Sequence, residues 1–265
     1  MGLTSATPPL DAALWSRKRV FSEQYIGDAT TFAAKCLNFQ LDPRQSEVLS
    51  GDSHRVLLCC SRQWGKSTVA AIAATHHLLT KPSAFIAVLS PSEKQSAEVI
   101  RKVRGFLAHL QIPCKSDGIH RHSVQISGGN RIIALSCRQA TNRGLASITL
   151  LIVDEAAQVP DDVYDAIRPS LAVSNGALWL ISTPYGKRGA FWEAWAGGGE
   201  WSRYLVTAKD CPRLSEKFLR EELQARGSRR FRQEYDCEFL DDLGSLFNVD
   251  LFLTAVTDDF KPLGI

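Results

Sequence analysis

The residues best suited to chemistry in this sequence are Gly65-Lys66-Ser67-Thr68, at the end of the stretch Cys60-Ser61-Arg62-Gln63-Trp64. An apolar run, 56–60, precedes them and an alanine-rich segment, 69–79, follows. Strand, short loop and helix in that order form a phosphate cradle. Loop N–H groups and a helix N-terminus surround the phosphates, the lysine neutralises charge, and the serine hydroxyl ligates Mg²⁺. The usual pattern opens with a glycine five residues before the second one. Here that position is Cys60, and an arginine, Arg62, lies inside the loop.

The second constellation is Leu150-Leu151-Ile152-Val153-Asp154-Glu155-Ala156, an apolar run that ends in two carboxylates. A strand buried on both faces that delivers Asp-Glu at its carboxyl end is a Walker B arrangement. The aspartate serves Mg²⁺, and the glutamate can orient and deprotonate an attacking water. The bland alternative is a strand ending in a solvated acidic turn, and the phosphate loop upstream argues against it. Ligands of open α/β sheets bind at the carboxyl ends of the strands, so Lys66 and Asp154 are expected to converge there.

Weaker signals accompany these two. Leu178-Trp179-Leu180-Ile181-Ser182-Thr183-Pro184 reads as a buried strand closed by two hydroxyls, suited to sensing the terminal phosphate; ordinary turn chemistry is the competing reading. Gln45, in Pro43-Arg44-Gln45, carries an amide able to pair with both edges of an adenine amine, or simply decorates a helix start. Arg138 and Arg143, in the loop ahead of Walker B, are candidates for an arginine finger, a role that a basic loop facing solvent or nucleic acid also explains. His76-His77 and His120-Arg121-His122 lack metal-ligand partners at good spacing and read as packing or solvated groups. Trp192 and Trp195 are expected to pack beneath the Ser-Thr-Pro strand.

These residues need a scaffold. Five apolar runs of strand length, 56–60, 84–89, 132–135, 148–153 and 178–181, alternate with helical patterns at 67–79, 92–110 and 161–171. Runs that are apolar throughout suit parallel strands covered on both faces. The expected fold is therefore α/β: a mostly parallel sheet of P-loop NTPase type (RecA/ASCE-like) flanked by helices. Segments 124–126 and 131–135, joined by Ser-Gly-Gly-Asn, read as a hairpin inserted in that scheme, and 201–208 reads as a late strand. Segments 215–226 and 228–239 read as two amphipathic helices broken at Gly227, a small helical lid or linker. The implied division is an N-terminal arm (1–37), the ATPase core (38–210), the lid (211–248) and a tail (249–265).

Composition sets the outer bounds. The 265 residues can bury a sizeable core, and the net charge of +3 is too small to require a nucleic-acid partner by itself. Arg226, Arg229, Arg230 and Arg232 nevertheless crowd one short stretch. Seven cysteines with no Cys-x-x-Cys argue against zinc and against a disulfide framework. No apolar run has the ~18–20 residues needed to span a membrane, and no signal peptide is evident at the start.

Taken together, Ser61-Arg62-Gln63-x-Gly65-Lys66-Ser67-Thr68, Leu151 to Ala156, Ser182-Thr183-Pro184, Pro43-Arg44-Gln45 and Arg143-Gly144 resemble the ATPase domain of the tailed-bacteriophage terminase large subunit. Phe231-Arg232-Gln233-Glu234-Tyr235 and Gly244-Ser245-Leu246-Phe247 are similar to the end of the family's ATPase half. The resemblance implies Mg²⁺-dependent ATP hydrolysis that drives double-stranded DNA into a procapsid. It places Lys66 and Arg62 on the phosphates, with Ser61, Gln63, Trp64, Gly65 and Thr68 completing the ATP-binding loop. Ser67 and Asp154 hold the metal, Glu155 is the base, Gln45 reads adenine, and Ser182 and Thr183 couple hydrolysis to movement. Arg143 would serve a neighbouring subunit.

Implied partners are DNA, the portal protein, the small terminase subunit and other copies in a pentameric ring, with a monomer possible in isolation. The setting is the host cytoplasm, at the portal vertex. The family's second, RNase H-like nuclease domain has no counterpart before Ile265, so weak ATP hydrolysis and no DNA cleavage are expected. A helicase-like DNA-dependent ATPase and a nucleotide-binding assembly protein without motor activity are the alternatives.

Overall fold

The computed structural model describes residues 27–140 and 145–241. Helix α1 (Ala29–Lys35) starts at Asp28, whose carboxylate accepts from the Thr31 amide at 2.8 Å. Helix α2 (Pro43–Ser50) starts in a reciprocal box. Asp42 accepts from the Gln45 amide at 2.8 Å, while Gln45 Oε1 accepts from the Asp42 amide at 3.2 Å. Pro43 fills the first turn, where a missing N–H costs no bond.

Then come β1 (Arg55–Cys60), α3 (Lys66–Thr80), β2 (Phe85–Ser90), α4 (Glu93–His109), β3 (Cys114–Lys115), β4 (Ser123–Ile126), β5 (Arg131–Ser136) and the single turn α5 (Cys137–Ala140). The second half holds β6 (Leu150–Asp154), α6 (Asp161–Ile167), β7 (Ala177–Ser182), α7 (Gly189–Ala196), β8 (Ser202–Val206) and α8 (Glu216–Glu234).

One sheet of eight strands orders them β3-β4-β5-β2-β6-β7-β1-β8. From β5 to β8 every pairing is parallel; the β3–β4 and β4–β5 pairings are antiparallel. The strands that carry the phosphate loop and the Asp-Glu pair, β1 and β6, are separated by β7, the strand that ends in Ser182.

Successive side chains feed opposite layers, as the pleat requires. Val56, Leu58 and Cys60 join Ile86, Val88, Leu150 and Ile152 beneath α3 and α4. Leu57, Cys59, Ala87, Leu89, Leu151 and Val153 face the layer built from α6 and α7. Double coverage explains why these strands show no polar alternation in sequence.

The structure differs from expectation at the first helix and at the end of the last, and it gives the expected hairpin a place in the sheet. Residues 29–37 were expected in an arm, but Phe32 and Ala33 of α1 are buried in the core beneath α3, so packed structure begins before the boundary drawn at residue 37. The hairpin forms where the sequence placed it, between β2 and β6 in the chain. It forms the sheet's antiparallel edge, with β5 pairing antiparallel to β4 and parallel to β2. The C-terminal helix breaks at Gly227 as expected (φ 78°), but it ends at Glu234 and none of its residues is fully buried. The aromatic residues past it do the packing: Tyr235 is buried against Phe231 and Phe218, and Phe239 sits against Phe191, Trp192 and Trp195.

Candidate functional site at the carboxyl edge of the sheet

Cys60 is the last residue of β1, and its side chain is fully buried in the core. That accounts for its place where a glycine usually stands: the position belongs to the strand, and its Cβ points into packing. Burial pushes its thiol well above the ordinary cysteine value, so it behaves as a small hydrophobe.

Beyond it the loop is tied on several sides. The Ser61 amide donates to Val206 O of β8 at 2.8 Å, and the Arg62 amide donates to Glu234 O at 3.0 Å. Arg62's guanidinium also pairs with the Glu234 carboxylate at 3.1 Å, so the end of α8 touches the loop. Gln63 and Gly65 take left-handed backbone conformations, φ 63° and 102°. Trp64 is fully buried. Gly65 then caps α3, aligning the first N–H groups of Lys66, Ser67 and Thr68 at a helix N-terminus.

The Lys66 ammonium lies 2.6 Å from Glu155 Oε1, which joins the two motifs across the sheet edge. Burial works against that ammonium, yet the Glu155 and Asp154 carboxylates help to outweigh it, and its pKa sits above the ordinary lysine value. Asp154, at the tip of β6, is 4% exposed, and burial pushes its carboxyl up to about 6 despite the pull of Lys66. Glu155 turns back over the strand end through a left-handed backbone (φ 55°), a conformation costing a non-glycine residue roughly 1 kcal/mol. Its amide donates to Asp154 Oδ1 at 3.1 Å, and its Oε2 is buried without a hydrogen-bond partner.

Such a set fits a divalent cation. A desolvated carboxylate and an orphaned carboxylate oxygen face one lysine, and a hydroxyl residue, Ser67, opens the adjoining helix.

Ser182, at the end of β7, accepts from the Ala157 amide at 3.2 Å and donates to Thr183 O at 2.7 Å. It therefore touches the turn that carries Glu155, and Thr183 is buried beside it. Gln45 reaches the loop from α2, its Nε2 donating to Trp64 O at 3.2 Å.

The structure thus brings Gln45, Ser61 to Thr68, Asp154, Glu155, Ser182 and Thr183 to one edge. Arg138 is exposed on α5, after β5. Arg143 lies outside the described residues.

Sequence reasoning missed two neighbours. Lys102 of α4 donates to Thr68 Oγ1 at 2.8 Å and adds positive charge near Asp154. Arg213, following β8, donates to Trp64 O and lies 3.0 Å from Asp42 Oδ2. Lys102 reads as a solvated helix position four residues after Glu98, and Arg213 as a loop cation. Both act through contacts remote in sequence, which no local pattern signals. His76 and His77 pack, His76 against Phe32 and His77 against Thr149 Oγ1 at 2.9 Å. Burial pushes His77 down to about 4.

Residues 57–254 match the family described as terminase large subunit, T4likevirus-type, N-terminal. The chain belongs to this family.

Among curated terminase large subunits, the chain is similar to that of Escherichia phage T5, 28% identical over 222 residues covering 80% of this chain and 50% of that protein. It is 25% identical to that of Thermus phage G20c, over 82% of this chain and 54% of that protein. This terminase chain therefore spans about half the length of the curated relatives it matches. The large terminase ATPase domain of Thermus phage P74-26 shares its fold, with a TM-score of 0.69 at 22% identity, covering 80% of this chain and 98% of that domain. So does the large terminase of a second thermophilic bacteriophage, in complex with ATP-γ-S, with a TM-score of 0.62 at 13% identity over 76% of this chain and 53% of that one. Among the described residues, no helix is long and apolar enough to cross a membrane.

Proposed function

We propose that this terminase chain hydrolyses ATP at the edge formed by β1, β6 and β7, as the motor half of a DNA-packaging machine. The observation that carries the reading is the Lys66–Glu155 contact of 2.6 Å beside the buried Asp154. It brings a phosphate-neutralising cation, a candidate metal ligand and a candidate base into one place.

In this reading the loop N–H groups from Gln63 to Ser67 and the Lys66 ammonium hold the triphosphate, the Ser61 and Arg62 amides being engaged by Val206 O and Glu234 O. Arg62 adds a second cation. Ser67 and Asp154 would hold Mg²⁺, which when bound neutralises charge on the phosphates and on the departing diphosphate. As phosphate oxygens engage Lys66, Glu155 gives up that partner and is left to accept a proton from the attacking water. Ser182 bonds the turn next to Glu155, so loss of the terminal phosphate is relayed along β7. Thr183 adds a second hydroxyl at that strand end. Arg143 is proposed to complete the site of a neighbouring copy, with Arg138 as the competing finger.

Family membership favours a packaging motor over a helicase-like ATPase or a nucleotide-binding assembly protein. The proposed partners are double-stranded DNA, the portal protein, the small terminase subunit and further copies in a ring, in the host cytoplasm.

The test is ATP turnover by the purified chain with and without double-stranded DNA, across a salt series. Stimulation by DNA that weakens steeply with salt is expected of phosphate-backbone contacts. Turnover indifferent to DNA at every ionic strength would argue against a translocating role. Mixing Arg143→Ala with Glu155→Ala subunits tests the finger: recovery of turnover in mixtures supports action in trans, and no recovery at any ratio removes it.

A further inference from the structure

We propose that Gln45 and Arg213 act on the nucleotide by gripping the phosphate loop at one carbonyl, Trp64 O, and not by reading the base; this rests on the ATP-binding reading above. Gln45 is 2% exposed. Its Oε1 accepts from the Asp42 amide at 3.2 Å and its Nε2 donates to Trp64 O at 3.2 Å. An amide engaged at both ends and shut off from solvent presents no accessible edge to an adenine.

The second donor to the same carbonyl is Arg213, whose guanidinium is also 3.0 Å from Asp42 Oδ2. Three segments remote in sequence thus meet at one peptide group: the start of α2, the loop, and the chain after β8.

The grip is close. A Cβ placed on Gly65 would come within 3.1 Å of Gln45 Nε2 and 3.7 Å of Arg213 Nη2. Glycine is therefore required there twice, for its φ of 102° and for the room the two donors occupy. Trp64 itself is anchored, its side chain fully buried in the core beneath α3. With the indole buried and the carbonyl held by two donors, the peptide before Gly65 cannot rotate. The orientation of the Gly65, Lys66 and Ser67 N–H groups follows from it. Gln45 and Arg213 are positioning residues for phosphate, whatever base is attached.

Two probes separate the possibilities, ATP and inorganic tripolyphosphate, titrated calorimetrically with Mg²⁺ present. Three variants are needed. Gln45→Glu keeps an acceptor for the Asp42 amide but cannot donate to Trp64 O. Arg213→Ala removes the other donor at a half-exposed site, and Arg213→Lys returns a charged donor.

Gln45→Glu and Arg213→Ala are each expected to weaken both probes about tenfold, the size of one lost hydrogen bond. Arg213→Lys should recover part of the loss. A merely unfolded fraction would lower the binding stoichiometry and leave Kd unchanged, so Kd is the deciding quantity. Affinity confined to ATP in the wild type, or a loss confined to ATP in the variants, overturns the inference and returns Gln45 to base reading. Variants indistinguishable from a wild type that binds both probes overturn the grip alone. A wild type that binds neither probe overturns the nucleotide reading with it.

Discussion

Asp154→Asn should make this chain more stable at neutral pH in the absence of Mg²⁺ and nucleotide. Asp154 is 4% exposed, and burial raises its carboxyl from an ordinary 3.8 to about 6. Two pKa units correspond to about 3 kcal/mol. The sign follows from linkage. The folded state binds the proton more tightly than the unfolded chain, so this contribution to stability is fully present below about 3.8 and is lost as pH rises through about 6. At neutral pH the wild-type fold therefore carries a buried carboxylate that Lys66 offsets only in part. Asparagine has nearly the same shape and no charge.

Urea denaturation at fixed pH values from 4 to 8, in chelator, is the assay. The variant's advantage should grow between pH 4 and 6 and level off above, at about 1–3 kcal/mol. Mg²⁺ with ATP should then stabilise the wild type and not the variant. A variant that is less stable at neutral pH, or whose difference does not change with pH, would refute the picture of a desolvated carboxylate prepared for a cation.

Three changes test how the scaffold holds the site. Asn130 is 1% exposed, accepts from the Ala84 amide at 3.0 Å and donates to Leu78 O and Lys81 O at 2.7 and 2.9 Å. Asn130→Ala strands those groups where α3 turns into β2 and should cost roughly 2–4 kcal/mol in urea denaturation. Gly176 stands where an added Cβ would lie 2.1 Å from Ile148 O, so Gly176→Ala should lower the melting temperature sharply, by roughly 2 kcal/mol or more in stability. At Gly227 nothing lies within 4 Å of an added Cβ, and only the φ of 78° opposes it. With ψ 161° that backbone is nearly exclusive to glycine, so Gly227→Ala should cost roughly 1–3 kcal/mol, measured the same way, unless the chain straightens into one helix, which circular dichroism would show as added helicity.

What could be read from sequence was whatever depends on a local pattern. The parallel strands announced themselves because both faces are covered: Leu57 and Leu58, adjacent in the chain, fall in different core layers and are both apolar. The Gly227 break follows from residue type at one position. The expected convergence of Lys66 with Asp154 followed from the rule that such strands present their ligands at the carboxyl edge; that Lys66 pairs directly with Glu155 came from the structure.

Other features were not legible. Residues 29–35 read as an arm because the helix is short, and its partners lie on α2 and α3, beyond any local window. Phe231 and Tyr235 imply a buried helical face, yet the helix ends between them and Tyr235 does the packing. Arg213 and Lys102 joined the site through tertiary contacts alone. Gln45 was visible as a functional candidate, but its bond to a loop carbonyl was not, since that depends on how α2 docks against α1 and α3.

The central claim is that Lys66, Ser67, Asp154 and Glu155 form one ATP-hydrolysing centre with Glu155 as its base. The most direct measurement is phosphate release from Mg²⁺-ATP by the wild-type chain and by Glu155→Gln, with ATP affinity determined for both. Wild-type turnover, a loss of about 10²-fold or more in the variant, and an ATP affinity that is kept are the expected results. Phosphate release by Glu155→Gln at the wild-type rate would contradict the claim.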